Sequence, residues 1–64
     1  MKKDYGQIFE ERYRASNSEV RALVKVYWIK AHRVTLAAGR HELSDFTAQI
    51  LARITIVEAD EKAA

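Results

Sequence analysis

Cysteine and proline are both absent from this chain of 64 residues, and glycine occurs only twice. Without cysteine, neither a disulfide framework nor a thiolate zinc site can form. Because proline and glycine are the residues least compatible with a helix interior, their scarcity favours long, uninterrupted helices. A chain this short has little core of its own, so its stability must come from helix packing or from oligomerisation.

Long apolar runs are also missing. The longest is the four residues from Val26 to Ile29, far below the roughly 18 residues that a membrane span needs. Met1 to Lys3 leads into Asp4 without an apolar segment, so no signal peptide is expected. The hydrophobic content of 48% favours a folded chain over a disordered one. We therefore expect one small helical domain over residues 1–64, cytoplasmic and without membrane contact.

Residues 16–39 dominate the chain and carry the start and stop signals of one long helix. Ser16 and Glu19 have the spacing of a capping box. Gly39 can adopt the left-handed conformation that ends many helices. Between these signals an apolar seam recurs in alternating steps of four and three residues. Its members are Val20, Val24, Tyr27, Ala31, Val34 and Ala38.

A second, narrower apolar stripe lies on another side of the same helix. Ala22, Ile29 and Leu36 are seven residues apart, and Lys25 and Arg33 flank them. A monomer of this length has too few neighbouring elements to bury both faces of one helix. The pattern therefore predicts self-association, in the form of a symmetric homodimer.

Two shorter helices are predicted on either side of the central one. Residues 5–15 have helical apolar spacing, and the break at residues 14–17 either separates this helix from the central one or only kinks it. Ser44 is the predicted N-cap of a third helix over residues 44–60, turning back antiparallel along the second, with residues 61–64 frayed. The apolar positions of this third helix are Leu43, Phe46, Ile50, Ile54 and Val57.

A strand interpretation competes with two of these helices. Residues 23–29 and 53–57 are rich enough in β-branched and aromatic side chains to form strands. Only two such strands are available, and a two-stranded sheet is marginal in water. The favoured fold class is therefore all-α, with two to three helices.

The charges are unevenly distributed along the chain. Residues 16–40 carry five basic side chains and one acidic, whereas residues 41–64 carry five acidic and two basic. In an antiparallel helical hairpin these two segments would neutralise each other. Alternatively, Arg21, Lys25 and His32, with Trp28 at their edge, form a basic face that could follow a nucleic-acid backbone. A helix-turn-helix fits poorly, because its reading helix would carry a net negative charge.

Catalytic and metal-binding patterns are weak. His32 and His41 would need two further ligands to hold zinc, and the sequence offers only carboxylates such as Glu42 or Asp45. The serines have structural roles as caps, and no glycine-rich loop is present to hold a phosphate. We expect no enzymatic activity, no metal and no cofactor.

These patterns favour a non-catalytic regulatory protein that binds a larger protein and blocks its working surface. A phage- or plasmid-encoded inhibitor of a host regulator is one concrete form. The alternative is a small nucleic-acid-binding transcriptional regulator that uses the basic face, and a third possibility is a structural subunit that forms open helical assemblies. The predicted partner-binding residues combine cationic, aromatic and aliphatic types. They are Arg21, Lys25, Trp28, Ile29, Arg33 and Leu36.

Overall fold

A computed structural model describes residues 4–63 of the protein, and every element in that part of the chain is a helix. The three helices are α1 (Tyr5–Ala15), α2 (Ser18–Ala37) and α3 (His41–Ala63). The all-α prediction is confirmed, and the strand interpretation is wrong for both segments. The lysines at positions 2 and 3 and the frayed end expected at residue 64 lie outside the described residues.

The break between α1 and α2 separates two distinct helices. The Asn17 side chain caps α2 by accepting a hydrogen bond of 2.9 Å from the Val20 N–H. Ser16, which was predicted to be the cap, instead donates its hydroxyl proton to the Arg12 carbonyl at the end of α1. The predicted start of α2 is therefore wrong by one residue, because asparagine caps at least as well as serine.

The end of α2 follows the prediction closely. Gly39 has a φ of 70°, the left-handed conformation that glycine adopts without steric cost. The Arg40 N–H donates to the Thr35 carbonyl at 2.9 Å, and the Gly39 N–H donates to the Leu36 carbonyl at 3.1 Å. This pair of bonds is the Schellman motif, which satisfies carbonyls that the helix end would leave free.

The third helix is longer at both ends than the sequence indicated. The Ser44 N–H donates to the Arg40 carbonyl at 2.8 Å, so the helix begins immediately after the Gly39 turn. Ser44 is therefore not a cap but a buried residue of the first turns, and its carbonyl accepts from the Thr47 hydroxyl. The helix continues to Ala63, where Glu61 is held by an ion pair with Arg21.

The core forms where α3 packs against both α1 and α2. Its fully buried side chains are Ile50, Ile54 and Val57 of α3, and Tyr13 of α1 joins them. Ile50, Ile54 and Val57 step by four and three residues, so they share one face of α3. The partly buried side chains packed against this core are Phe9, Val24, Trp28 and Leu51.

The inward face of α2 differs from the predicted seam. Val24 and Ala31 are partly buried as expected, but Val20, Tyr27 and Val34 are exposed. Three polar or charged residues of α2 are partly buried in their place: Arg21, His32 and Thr35. Each of them has a hydrogen-bond partner within the fold, which removes the penalty that normally keeps polar groups out of a core.

The molecule is flat and has a large surface for its mass. It measures 38 × 31 × 19 Å, and 19 Å accommodates about two helix diameters of roughly 10 Å. Its radius of gyration is 12.4 Å, compared with about 11 Å for a compact domain of this length. Its accessible surface is 5089 Å² at a mass of 7.4 kDa, whereas a folded monomer of this mass exposes about 4,200 Å².

Candidate protein-interaction surface

The six predicted partner-binding residues fall into two groups in the structure. Arg21, Lys25 and Trp28 make contacts within the molecule, with α1 and α3. Ile29, Arg33 and Leu36 are exposed on α2. Both groups lie on the helix that the sequence singled out.

Arg21 ties α2 to both neighbouring helices. Its Nε donates to the Tyr13 carbonyl at 3.0 Å, and its Nη2 donates to the Arg14 carbonyl at 2.8 Å. These two carbonyls lie at the end of α1, where the last helical carbonyls lack partners in their own helix. The guanidinium also pairs with the Glu61 carboxylate and lies 5.1 Å from the centre of the Tyr13 ring.

Lys25 completes a line of ion pairs between the start of α2 and the end of α3. Its Nζ lies 3.0 Å from a Glu58 carboxylate oxygen, which also accepts from the Tyr13 hydroxyl at 3.4 Å. Arg14 of α1 pairs with Asp60 at 2.8 Å. Two cations of the basic segment, Arg21 and Lys25, are therefore paired with carboxylates of the acidic segment inside one molecule.

The protonation states of these ion-paired side chains and of Tyr13 follow from their contacts. Hydrogen bonds from Lys25 hold the pKa of Glu58 below its ordinary value, and hydrogen bonds from Arg21 do the same for Glu61. The pKa of the Tyr13 hydroxyl is raised, first because burial disfavours the phenolate and then because Glu58 is close by. Both carboxylates are therefore charged, and the phenol neutral, near pH 7.

Acid should weaken the fold through these two carboxylates. The pKa values of these two carboxylates in the folded protein lie below the ordinary value of 4.5. Their contribution to the stability of the fold is therefore fully present above about pH 4.5 and is lost as the pH falls further. We expect the urea midpoint to fall between about pH 4.5 and pH 3, and to fall less in a Glu58→Gln, Glu61→Gln variant. An equal fall in both proteins would contradict this assignment.

Trp28 is the centre of an aromatic cluster that joins all three helices. Its ring meets Phe9 of α1 at 6.0 Å and Phe46 of α3 at 5.9 Å between centroids, both in edge-to-face arrangements. The ring of Tyr27, its neighbour in the sequence, makes a third edge-to-face contact at 5.3 Å between centroids. Such geometry is the favoured one for aromatic pairs. The structure therefore places Trp28 in the core, although part of its surface remains accessible.

His32 has a hydrogen-bond partner on α3. Its Nδ1 lies 2.9 Å from the Thr47 hydroxyl, and that hydroxyl donates its own proton to the Ser44 carbonyl. Nδ1 must therefore be the donor, which assigns the imidazole proton to that nitrogen. Within residues 4–63, no three histidine or acidic side chains are grouped as a metal site would require.

The exposed side of α2 carries a set of large apolar residues, three of which belong to the predicted apolar seam. We call Val20, Leu23, Tyr27 and Val34, with Val26 beside them, the outer seam. Their exposed fractions run from 42% to 72%. At about 100° per residue the first four lie within an arc of about 60°. The sequence contained the signal, since three of the four belong to the predicted seam, but hydropathy does not show which side of a helix faces its neighbours.

Comparisons with known protein families, with characterised proteins and with solved structures find no match to this chain. In the described part of the chain, none of the helices combines the length and the hydrophobicity that a bilayer crossing requires.

Proposed function

We propose that the protein is a non-catalytic binding protein, a homodimer that attaches to a larger regulatory protein in the cytoplasm and blocks its working surface. In each copy α2 and α3 run antiparallel, since the start of α2 pairs with the end of α3 and His32 contacts Thr47 near the start of α3. Dimerisation and binding of the larger protein use different sides of α2. One side of the helix binds the second copy, and another side binds the larger protein.

The imbalance between exposed and buried apolar side chains carries this proposal. Within residues 4–63, four hydrophobic side chains are buried, whereas twelve large ones are exposed. The surface exceeds that of a compact monomer of equal mass by about 900 Å². A standard protein–protein interface buries about 800 Å² on each partner, so the excess is equal to about one of the two proposed interfaces.

The partner side of α2 consists of the second stripe and one cation. Ile29 and Leu36 are 37% and 56% exposed, and Arg33 lies between them in sequence and is also exposed. An apolar pair beside a guanidinium suits a protein surface with an apolar patch bordered by carboxylates, because Arg binds carboxylates in a fixed, two-pronged geometry. Arg21, Lys25 and Trp28 hold α2 in the position that presents this side.

Nucleic acid is less well supported as the partner. Two of the cations in the predicted basic face, Arg21 and Lys25, are already paired with Glu61 and Glu58. Phosphates would have to compete with these carboxylates, and the carboxylates themselves would repel the nucleic acid.

The proposal is tested by quantitative capture from a nuclease-treated extract of the cell in which the protein acts. We expect the immobilised wild type to retain one protein in stoichiometric amount, and the purified complex to have lost that protein's own binding or catalytic activity. An Ile29→Asp, Leu36→Asp variant should retain at least tenfold less.

An Ile56→Asp variant is the matched control, because it places the same new charge at an exposed isoleucine of α3. It should capture the partner as the wild type does. Capture of no protein, or of a protein whose activity is unaffected, would contradict the proposal. Binding to random duplex DNA that weakens steeply with salt would instead support the nucleic-acid alternative.

A further inference from the structure

We infer that the outer seam of α2 is the self-interface, and that two copies of the chain pair there with their α2 helices antiparallel. This inference rests on the dimer of the proposed function. It specifies which surface of α2 forms the dimer, how the two helices are oriented and which residues face each other. The outer seam is distinct from the second stripe: at about 100° per residue, Leu23 lies about 120° around the helix from Ile29.

The spacing of the outer seam is that of a coiled coil. Val20, Leu23, Tyr27, Lys30 and Val34 alternate in steps of three and four residues, which is the heptad pattern that brings two helices together along a seam. Four of these five side chains are apolar and exposed. Only Lys30 interrupts the apolar line.

A shallow, mainly apolar hollow lies on this seam. It is lined by Tyr27, Lys30, Ala31 and Val34, with Thr35 at its edge. The first four are residues i, i+3, i+4 and i+7, the set that forms the hole for a side chain of a facing helix. The most exposed apolar side chain of the seam is Leu23, at 72%. A leucine is therefore available to fill a hole of the right kind on a second copy.

Orientation follows from which residue meets that hollow. In a parallel, in-register pair, Lys30 of one copy would enter the hollow that already contains Lys30 of the other, and two like charges would meet at the centre of the seam. In an antiparallel pair with its two-fold axis beside Tyr27, the Leu23 side chain of one copy enters the hollow of the other copy instead of Lys30. The two-fold axis repeats this contact, so each copy supplies one leucine and one hollow.

The charges beside the seam favour the same orientation. Glu19 lies near the start of α2, whereas Lys30 and Arg33 lie in its second half. Antiparallel pairing brings Glu19 of each copy close to Arg33 of the other along the same edge of the seam, whereas parallel pairing puts the two copies of Arg33 on opposite edges and gives neither an acidic partner. Opposite charges at the flanking positions of a coiled coil select its orientation in this way.

Light scattering provides the first test. We expect the wild type to have twice the mass of 7.4 kDa, and a Leu23→Asp, Val34→Asp variant to have the monomer mass with its helical circular dichroism retained. The Ile56→Asp control should remain dimeric. A monomeric wild type at every concentration, or a dimeric seam variant, would overturn the inference.

Cysteine cross-linking provides a second test that does not require a stable monomer. Because the chain contains no cysteine, each introduced thiol reports on one position. We expect Tyr27→Cys to form a disulfide-linked dimer under mild oxidation, because the two copies of residue 27 lie at the axis. An Ala52→Cys variant, on an exposed position of α3, should not cross-link.

The ends of the seam discriminate the orientations. In the antiparallel pair the two copies of residue 20 lie about 21 Å apart, beyond the roughly 7 Å between Cα atoms that a disulfide can bridge. Val20→Cys alone should stay unlinked, whereas an equimolar mixture of Val20→Cys and Val34→Cys should link. Linkage of Val20→Cys to itself would show a parallel pair and overturn the inference. Capture of the foreign protein through Ile29 and Leu36 is measured separately, so either proposal can fail without the other.

Discussion

Truncation of Ile54 to alanine is expected to lower the free energy of unfolding by about 2 to 5 kcal/mol, the usual range for a fully buried isoleucine. Ile54 is 1% exposed and belongs to the cluster that joins α1 to α3. A chain of this size has a total stability of only about 3 to 5 kcal/mol from its own core. The Ile54→Ala variant should therefore be largely unfolded at low concentration, as measured by circular dichroism in urea.

Ile56 provides the control, since it is the same residue type two positions further along the same helix. It is 49% exposed, so Ile56→Ala should lower the free energy of unfolding by less than about 1 kcal/mol. If the two variants were equally unstable, the face of α3 that contains Ile50, Ile54 and Val57 would not be the one that packs in the core.

Truncation of Trp28 to alanine should be as damaging, with an expected loss of about 3 to 5 kcal/mol. The indole contacts one ring from α1 and one from α3, so its removal opens the junction of all three helices. The loss is measured by urea unfolding followed by far-ultraviolet circular dichroism, because Trp28 is the chain's single tryptophan and its fluorescence disappears with it.

Trp28→Phe is the matched comparison. Phenylalanine keeps an aromatic ring at the same position, so its loss of stability should be less than half that of alanine. The sequence pattern places Trp28 among the predicted partner-binding residues. If Trp28→Ala kept full stability and lost only partner binding, the residue would belong to the interface.

Local chemistry made much of the fold predictable. The bounds of α1 and the left-handed Gly39 follow from signals within a few residues of each position, and so does the spacing of Ile50, Ile54 and Val57. The caps were harder, because Ser16 and Asn17 are adjacent and both can cap a helix. The early start of α3 was missed because it depends on the Arg40 carbonyl, which no side-chain pattern reveals.

The candidate site was less predictable because it depends on how α2 is rotated. Hydropathy located two apolar faces on this helix, yet the face that turns inward includes Arg21, His32 and Thr35. Arg21 and His32 are accepted there because Glu61, the Tyr13 carbonyl and the Thr47 hydroxyl supply partners. These hydrogen bonds join residues of different helices. The hydrophobic periodicity of one helix therefore gives no information about them.

The short turn at Gly39 has a consequence for the order in which the chain assembles. Contacts across this turn close loops of very different length: His32 and Thr47 are 15 residues apart, whereas Arg21 and Glu61 are 40 apart. The entropic cost of closing the loop is about 0.9 kcal/mol larger for the contact between Arg21 and Glu61 than for the contact between His32 and Thr47. We therefore expect the contacts between α2 and α3 to form first near the Gly39 turn and then progressively further from it. During synthesis α1 emerges first, but its binding site on α3 is completed last, so it must wait for the rest of the chain.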